Sequence, residues 1–324
     1  MKLIEKLEPV FIFLAVILGL LFNDIEIINQ ISPYLITTFL SLMLFTLFLD
    51  IPLEEIKHSF TNYKFTATSL IINFLWTPLF GYFLANVFLN GNIDLIIGFF
   101  MLILTPCTDW YLVFTKMAKG DMASSVSLLP INLILQLILL PIYLLLFFSN
   151  SNTLQIHDLI NSLVIYIVIP FVLAQIVKYL LKNKEYEERI ISLFTDKQLL
   201  FLCIAIFGLF NSESSVLLDN LNSIWILFIP LIIFFVTNTI LDYYLSRRLN
   251  FNYEEYASLT FTTLARNSPL ALAIAISSFA NNELIAISLV IGPLIELPVL
   301  YIISRVLLKI RKNYKKSDQI EQTL

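Results

Sequence analysis

Apolar stretches long enough to cross a bilayer follow one another along almost the whole chain, and they constrain its fold more than any other feature. A membrane helix needs about 20 mostly apolar residues. Ten segments are candidates: 9–22, 33–52, 66–89, 94–118, 122–149, 159–182, 198–211, 223–246, 254–280 and 284–308. The first and seventh are short, and either extend into weaker flanks or tilt little. The connecting loops are short, without a soluble domain or low-complexity linker. The 324 residues are 58% hydrophobic and 14% charged, with a mean hydropathy of +0.85. A soluble chain is about 45–50% apolar and about 25% charged. This composition excludes a soluble enzyme and a disordered protein. With a net charge of −4 and no basic patch, nucleic acid is not an expected partner. The expected partner is the lipid bilayer. Lys2 and Lys6 precede an apolar run from Pro9 to Phe22, as in a signal peptide. No soluble domain follows it, so the run is read as a retained first helix.

Basic residues test the count, because they collect on the cytoplasmic side of membrane proteins. They fall in alternate loops: Lys2 and Lys6; Lys57 and Lys64; Lys116 and Lys119; Lys178 to Lys197; Arg247 and Arg248; and Arg305 to Lys316. The intervening loops have no Lys or Arg. This places 19 of the 20 basic residues on one side and leaves only Arg266 inside a span. Ten spans with both termini cytoplasmic satisfy the pattern, and one helix more or fewer would scramble it.

Ten spans divide into five plus five, and an odd number per half inverts one half relative to the other, as in inverted-repeat transporters. The expected halves are 1–149 and 150–308, with a basic cytoplasmic tail at 309–324 and a single membrane domain overall. Prolines echo the repeat. Pro106 and Pro130 are 24 residues apart, as are Pro269 and Pro293.

Helices 4 and 9 carry interruptions at matching places. The first is TPCTDW, residues 105–110; the second is ARNSP, residues 265–269. Pro106 and Pro269 mark the breaks, because proline removes a backbone donor and clashes with the preceding turn. Paired interruptions are the best sequence pointer to a transporter's binding site. Two proline kinks satisfied by neighbouring Ser and Thr are the plainer reading. Asp109, Arg266 and Glu296 weigh against it. Each costs about 2.5–3.5 kcal/mol at a helix centre on insertion scales. Asp109 and Arg266 could pair where the broken helices cross, as a structural ion pair or with Asp109 protonating during a cycle. Glu296, in GPLIELP, is a natural proton carrier or a protonated carboxyl bonding a freed backbone group. Cys107 sits beside Thr108 and Asp109 in the first break, where a thiolate would be a soft ligand. Cys203 reads as packing. Asn132 and Gln136 face the broken helix or a neighbour, and Ser124, Ser125 and Ser127 cap helix 5 or coordinate a cation. His58 and His157 lie in or near loops. There is no HExxH and no GxSxG, so an intramembrane enzyme is not expected.

TPCTDWYLVFTKMAKGD at 105–121, LARNSPLALAIA at 264–275 and IGPLIELPVL at 291–300 carry a family resemblance. With ten helices and these breaks, the chain resembles the bile acid:sodium symporter superfamily, most of all its arsenical-resistance branch of arsenite efflux permeases. The resemblance implies a panel of helices 1, 2, 6 and 7 beside a core of helices 3–5 and 8–10. It also implies proton-coupled efflux of arsenite across the plasma membrane by alternating access, with no cofactor. Cys107 and Glu296 match the family's functional pair. Thr108, Asn267 and Ser268 would be further substrate contacts, and Asp109 and Arg266 would set the local field. Where sodium-coupled relatives carry ligands in the ninth helix, this chain has Arg266, whose fixed charge disfavours sodium. A small organic anion bound by Arg266 is the alternative cargo.

Overall fold

The computed structural model describes residues 3–50, 61–89, 91–108, 110–148, 164, 168–182, 186–212, 214–219, 225–279 and 282–321. Among them every regular element is a helix. The elements are α1 (Leu3–Leu21), α2 (Glu26–Asp50), α3 (Tyr63–Phe88), α4 (Ile93–Leu104), α5 (Trp110–Ala118), α6 (Met122–Phe148) and α7 (Ile169–Leu181). Then come α8 (Glu187–Thr195), α9 (Gln198–Ser212), α10 (Ser214–Asp219), α11 (Phe228–Arg248), α12 (Tyr253–Leu264), α13 (Ser268–Ser278) and α14 (Glu283–Glu321).

Six stretches are long and apolar enough to span a bilayer: Glu26–Asp50, Tyr63–Phe88, Met122–Phe148, Arg189–Ser212, Phe228–Arg248 and Leu284–Arg311. Val10–Leu21, Ile93–Leu104 and Ile169–Leu181 are shorter apolar helices. The short seventh segment gains its length from the α8 flank, as Arg189–Ser212. The fourth and ninth segments each divide in two, into α4 and α5 and into α12 and α13. Of the sixth, residues 159–163 and 165–167 lie outside the described residues, and the rest carries α7. Pro130 and Pro141 stay within α6, and Pro293 and Pro298 stay within α14, which continues through the basic stretch to Glu321.

Burial shows which solvent these helices meet. On α3, Ile71, Leu75, Leu79, Phe83 and Val87 are exposed at a spacing of four, while Ser69, Asn73 and Thr77 are fully buried. The helix turns hydrocarbon outward and polar groups inward, the reverse of a soluble amphipathic helix. Ile138, Ile142 and Leu146 repeat the outward stripe on α6. The chain is a multi-pass membrane protein.

Two packing groups meet along α14. In one, α9 lies against α2 and α1, and α7 and α8 also pack on α2. In the other, α4 lies between α3 and α14, and α12 touches α11, α5 and α6. α14 reaches α1 and α9 as well as α4, α12 and α13. Side-chain bonds to backbone tie the second group together. Tyr253 Oη donates to Ala118 O at 2.8 Å, Ser258 Oγ to Asp121 O at 2.9 Å and Tyr111 Oη to Ser125 O at 2.7 Å. Asp121 also caps α6, accepting from the backbone of Ala123 and Ser124 and from the Ser124 hydroxyl. Within α3, residues Ile72–Trp76 form a π turn in which Thr77 N–H reaches Ile72 O. The nearby Phe74 carbonyl accepts the Tyr143 hydroxyl. Such bulges often mark functional positions inside α-helices.

Small residues let α4 and α14 approach closely. A Cβ on Gly98 would lie 2.8 Å from Ser288 Cβ and 3.0 Å from the Ile285 carbonyl. Gly98→Val must therefore push the two helices apart. The expected cost is about 1–3 kcal/mol, read as a lower thermal unfolding midpoint of purified protein. An unchanged midpoint would mean that this contact is looser than the structure has it.

Candidate functional site

The two helix breaks cross as a short antiparallel pairing of extended backbone. Pro106 and Arg266 form the bridge. Cys107 N–H donates to Ala265 O at 2.9 Å, and Asn267 N–H donates to Thr105 O at 2.6 Å. Each break thus supplies a donor and an acceptor that its own helix no longer uses. A bilayer offers no water to these groups, so non-helical backbone persists there only when protein satisfies it.

Side chains complete the crossing. Thr105 Oγ1 lies 3.2 Å from Asn267 O and Asn267 Nδ2 donates to Thr108 Oγ1 at 3.2 Å. Asn267 Oδ1 accepts Leu270 N–H and so caps α13. Cys107 Sγ accepts Trp110 N–H at 3.3 Å, the capping position for α5. Cys107 is a buried thiol, 7% exposed, and not part of a disulfide. Pro269 sits in the first turn of α13, where a missing N–H costs nothing. It starts the second half-helix; the break itself lies at Ala265–Asn267. Ser268, also buried, is the first residue of α13. Asp109 lies outside the described residues, as do His58 and His157.

Among the described residues Arg266 is the largest fully buried side chain, 2% exposed. Its Nη1 donates to Ile103 O at 2.9 Å, its Nε to Leu264 O at 3.2 Å and its Nη2 to Asn73 Oδ1 at 3.3 Å. The guanidinium lies 5.0 Å from the Phe234 ring centroid, within cation–π range. It therefore takes up carbonyls left free at the end of α4 and beside the α12 break. Glu296 is 1% exposed and accepts the backbone N–H of Arg266 at 2.8 Å through Oε1. Glu296 and Asp242 are the buried carboxyls near this guanidinium among the described residues. The structure thus brings Cys107, Thr108, Arg266, Asn267, Ser268 and Glu296 to one buried crossing.

Four contributors were not singled out in the sequence. Asn73 in the α3 π turn donates to Thr262 O at 3.0 Å and accepts from Arg266. Phe234 lends its ring face. Asn238 Oδ1 accepts Trp76 Nε1–H at 2.8 Å. Asp242 is fully buried and accepts Thr263 Oγ1–H at 2.7 Å. Polar residues facing inward on otherwise apolar α3 and α11 were the available signal. Asn132 and Gln136 are buried one turn apart on α6, and their amide atoms have no partner among the described residues. Elsewhere, an open pocket of about 410 Å³ is lined by Asp50, Glu187, Ile191, Ser192 and Thr195, on the α2 and α8 side of the molecule. It does not include the crossing.

The family model for the Sodium Bile acid symporter family matches residues 37–220. An arsenical-resistance protein, Acr3, of Corynebacterium glutamicum is 26% identical over 323 residues, covering 92% of this chain and 86% of the relative. Another Acr3, of Alkaliphilus metalliredigens, is 26% identical over 276 residues, covering 80% of this chain and 77% of the relative. An uncharacterised transporter of Synechocystis sp. is 21% identical, with coverage of 93% and 87%.

The guanidinium depends on Asn73, which tests the arrangement. Asn73→Leu keeps the volume but removes an acceptor from Arg266 and a donor from Thr262 O. The expected loss is about 1–3 kcal/mol per buried group left unpaired, read as a fall in unfolding midpoint. Ser69→Ala, one turn earlier, removes only a long hydroxyl contact of 3.3 Å to Thr262 and should change little. Equal effects from the two would remove the special role of Asn73.

Proposed function

From the premise that this chain belongs to the sodium bile acid symporter family, and is a membrane transporter, we propose that it exports trivalent arsenic as arsenite in exchange for protons. In this reading ten helices form two inverted repeats, a panel stands beside a core, and both termini are cytoplasmic in the plasma membrane. The observation that carries the reading is the buried crossing, where Cys107 and Glu296 lie on either side of Arg266. Cys107 supplies a soft sulfur ligand for a thiophilic metalloid. A single thiol binds weakly enough to release its cargo, with Thr108, Asn267 and Ser268 as polar partners. Glu296 is the proton carrier, because a buried carboxylate that accepts one backbone N–H can exchange a proton without leaving its place. Arg266 and Asp109 set the field around it. The relatives described as arsenical-resistance proteins support the cargo.

Arg266 also bears on the competing cargo. An organic anion would need guanidinium donors, and three are already given to Ile103, Leu264 and Asn73. The same fixed positive charge opposes sodium at the crossing. Asn132 and Gln136, without partners among the described residues, favour a polar solute that can both donate and accept hydrogen bonds. Arsenous acid, neutral and triply hydroxylated, has that character.

The test is arsenite resistance in a sensitive host without pumps of its own. Wild type should protect. Glu296→Gln should lower arsenite uptake into everted vesicles by about tenfold or more, a barrier change of about 1.4 kcal/mol, and abolish its dependence on a pH gradient. Cys107→Ala should lower uptake while leaving the protein folded. Absence of protection by well-expressed wild type would refute the arsenite reading. Full transport by Cys107→Ala would remove the cysteine from the mechanism.

A further inference from the structure

The proposed cycle uses Glu296, yet the same buried centre holds a second carboxylate. Among the described residues, the fully buried charged side chains are Arg266, Glu296 and Asp242. One guanidinium cannot neutralise two carboxylates. If both were ionised, the centre would keep an uncompensated negative charge in a low-dielectric interior, which is costly.

Asp242 has the geometry to resolve this. Its Oδ2 lies 2.7 Å from Thr263 Oγ1. That same hydroxyl lies 3.0 Å from Leu259 O and 3.2 Å from Thr260 O. A threonine hydroxyl has one hydrogen and two lone pairs. When Asp242 is ionised, the Thr263 hydrogen turns to the carboxylate. When Asp242 is protonated, its own hydrogen bonds Thr263 Oγ1, and the Thr263 hydrogen turns back to Leu259 O. Both protonation states are hydrogen-bonded at Oδ2 without moving a heavy atom. The other oxygen, Oδ1, has no partner among the described residues, which disfavours permanent ionisation. The Thr263 hydroxyl, 2.7 Å from Oδ2 and able to donate to it, keeps the ionised form open as well.

We infer that Asp242 is a second proton-carrying carboxylate, and that Thr263 is the swivel that satisfies it with and without its proton. The proton enters and leaves at Oδ2, and no electrons move. α11 packs against α12, the second half of α3 and α14. Of the charged and titratable groups there, Arg266 lies just beyond α12, Tyr256 on α12 packs its ring against Tyr243 of α11, and Glu296 on α14 accepts the Arg266 backbone N–H. α3 contributes the neutral Asn73 and Thr77. Thr263 lies three residues before Arg266, so a change at Asp242 is felt where the breaks cross. The inference rests on the proton-coupled reading of this centre and adds a member to it.

The test is infrared difference spectroscopy of the full-length protein in lipid, titrated from about pH 5 to about pH 9, a range that covers buried carboxyls. Wild type should show a protonated-carboxyl stretch that fades as pH rises. Asp242→Asn should lose that component, and Glu296→Gln should keep it. Thr263→Val should move its midpoint by about one pH unit, and Thr263→Ser should restore it. A component that disappears in Asp242→Asn but does not respond to pH in wild type would overturn the inference, as would a spectrum unchanged by that substitution. If Asp242→Asn fails to fold, the Thr263 pair decides: equal midpoints in wild type and Thr263→Val overturn the swivel. The readout needs no cargo. A titrating Asp242 in a protein that moves no arsenite would refute the cargo alone. Arsenite transport beside a silent Asp242 would refute the inference alone.

Discussion

The rest of the structure depends on how two broken helices settle their backbone hydrogen bonds in hydrocarbon. A break in a membrane helix exposes donors and acceptors that cost several kcal/mol each when left unmade. Here the two breaks satisfy each other. Cys107 and Asn267 donate across the crossing to Ala265 and Thr105. Neither break would survive alone, so α4–α5 and α12–α13 stand or fall together. The surrounding helices follow from that pairing. α3 and α11 bring polar side chains to it, and α14 closes it with Glu296.

Arg266 is what makes the crossing more than a backbone repair. An arginine paired with a carboxylate frequently makes a forked, bidentate contact. This one gives its hydrogen bonds to two carbonyls and a carboxamide, while Glu296 is held by the Arg266 backbone N–H. Charge attraction and hydrogen bonding are thereby separated. The carboxylates feel the positive field without being locked to the guanidinium, so a proton can come and go with little rearrangement. A direct ion pair at the same place would tie each proton to breaking a charged contact.

The breaks were legible because proline and polar residues stand out in apolar runs, and the ionisable residues at 266 and 296 were conspicuous for the same reason. Asp242 was not. It lies five residues before Arg247 and six before Arg248, and a carboxylate so near a basic loop reads as an interfacial charge. Only its burial and its contact with Thr263 reveal that it points inward. The π turn of α3 leaves no mark in INFLW, because a bulge is chosen by tertiary contacts rather than by propensity. The role of Pro269 also needed coordinates. As a residue it signals a break, but its fixed φ suits the first turn of a helix equally well. The α8 flank was hidden by its charged residues, which lower the apparent hydropathy of a stretch that nonetheless continues into α9.

Charge arithmetic links these features to what the centre can hold. With Arg266 fixed, the described groups sum to one positive charge when Asp242 and Glu296 are both protonated. They sum to zero with one proton between them, and to one negative charge with none. A centre that passes through neutrality by gaining or losing a single proton suits a neutral cargo, which needs no counter-charge to enter or leave. An anion would be favoured in the fully protonated state and a cation in the fully deprotonated one. In the proton-coupled reading proposed above, the proton count of two carboxylates around one arginine therefore bears on both selectivity and coupling.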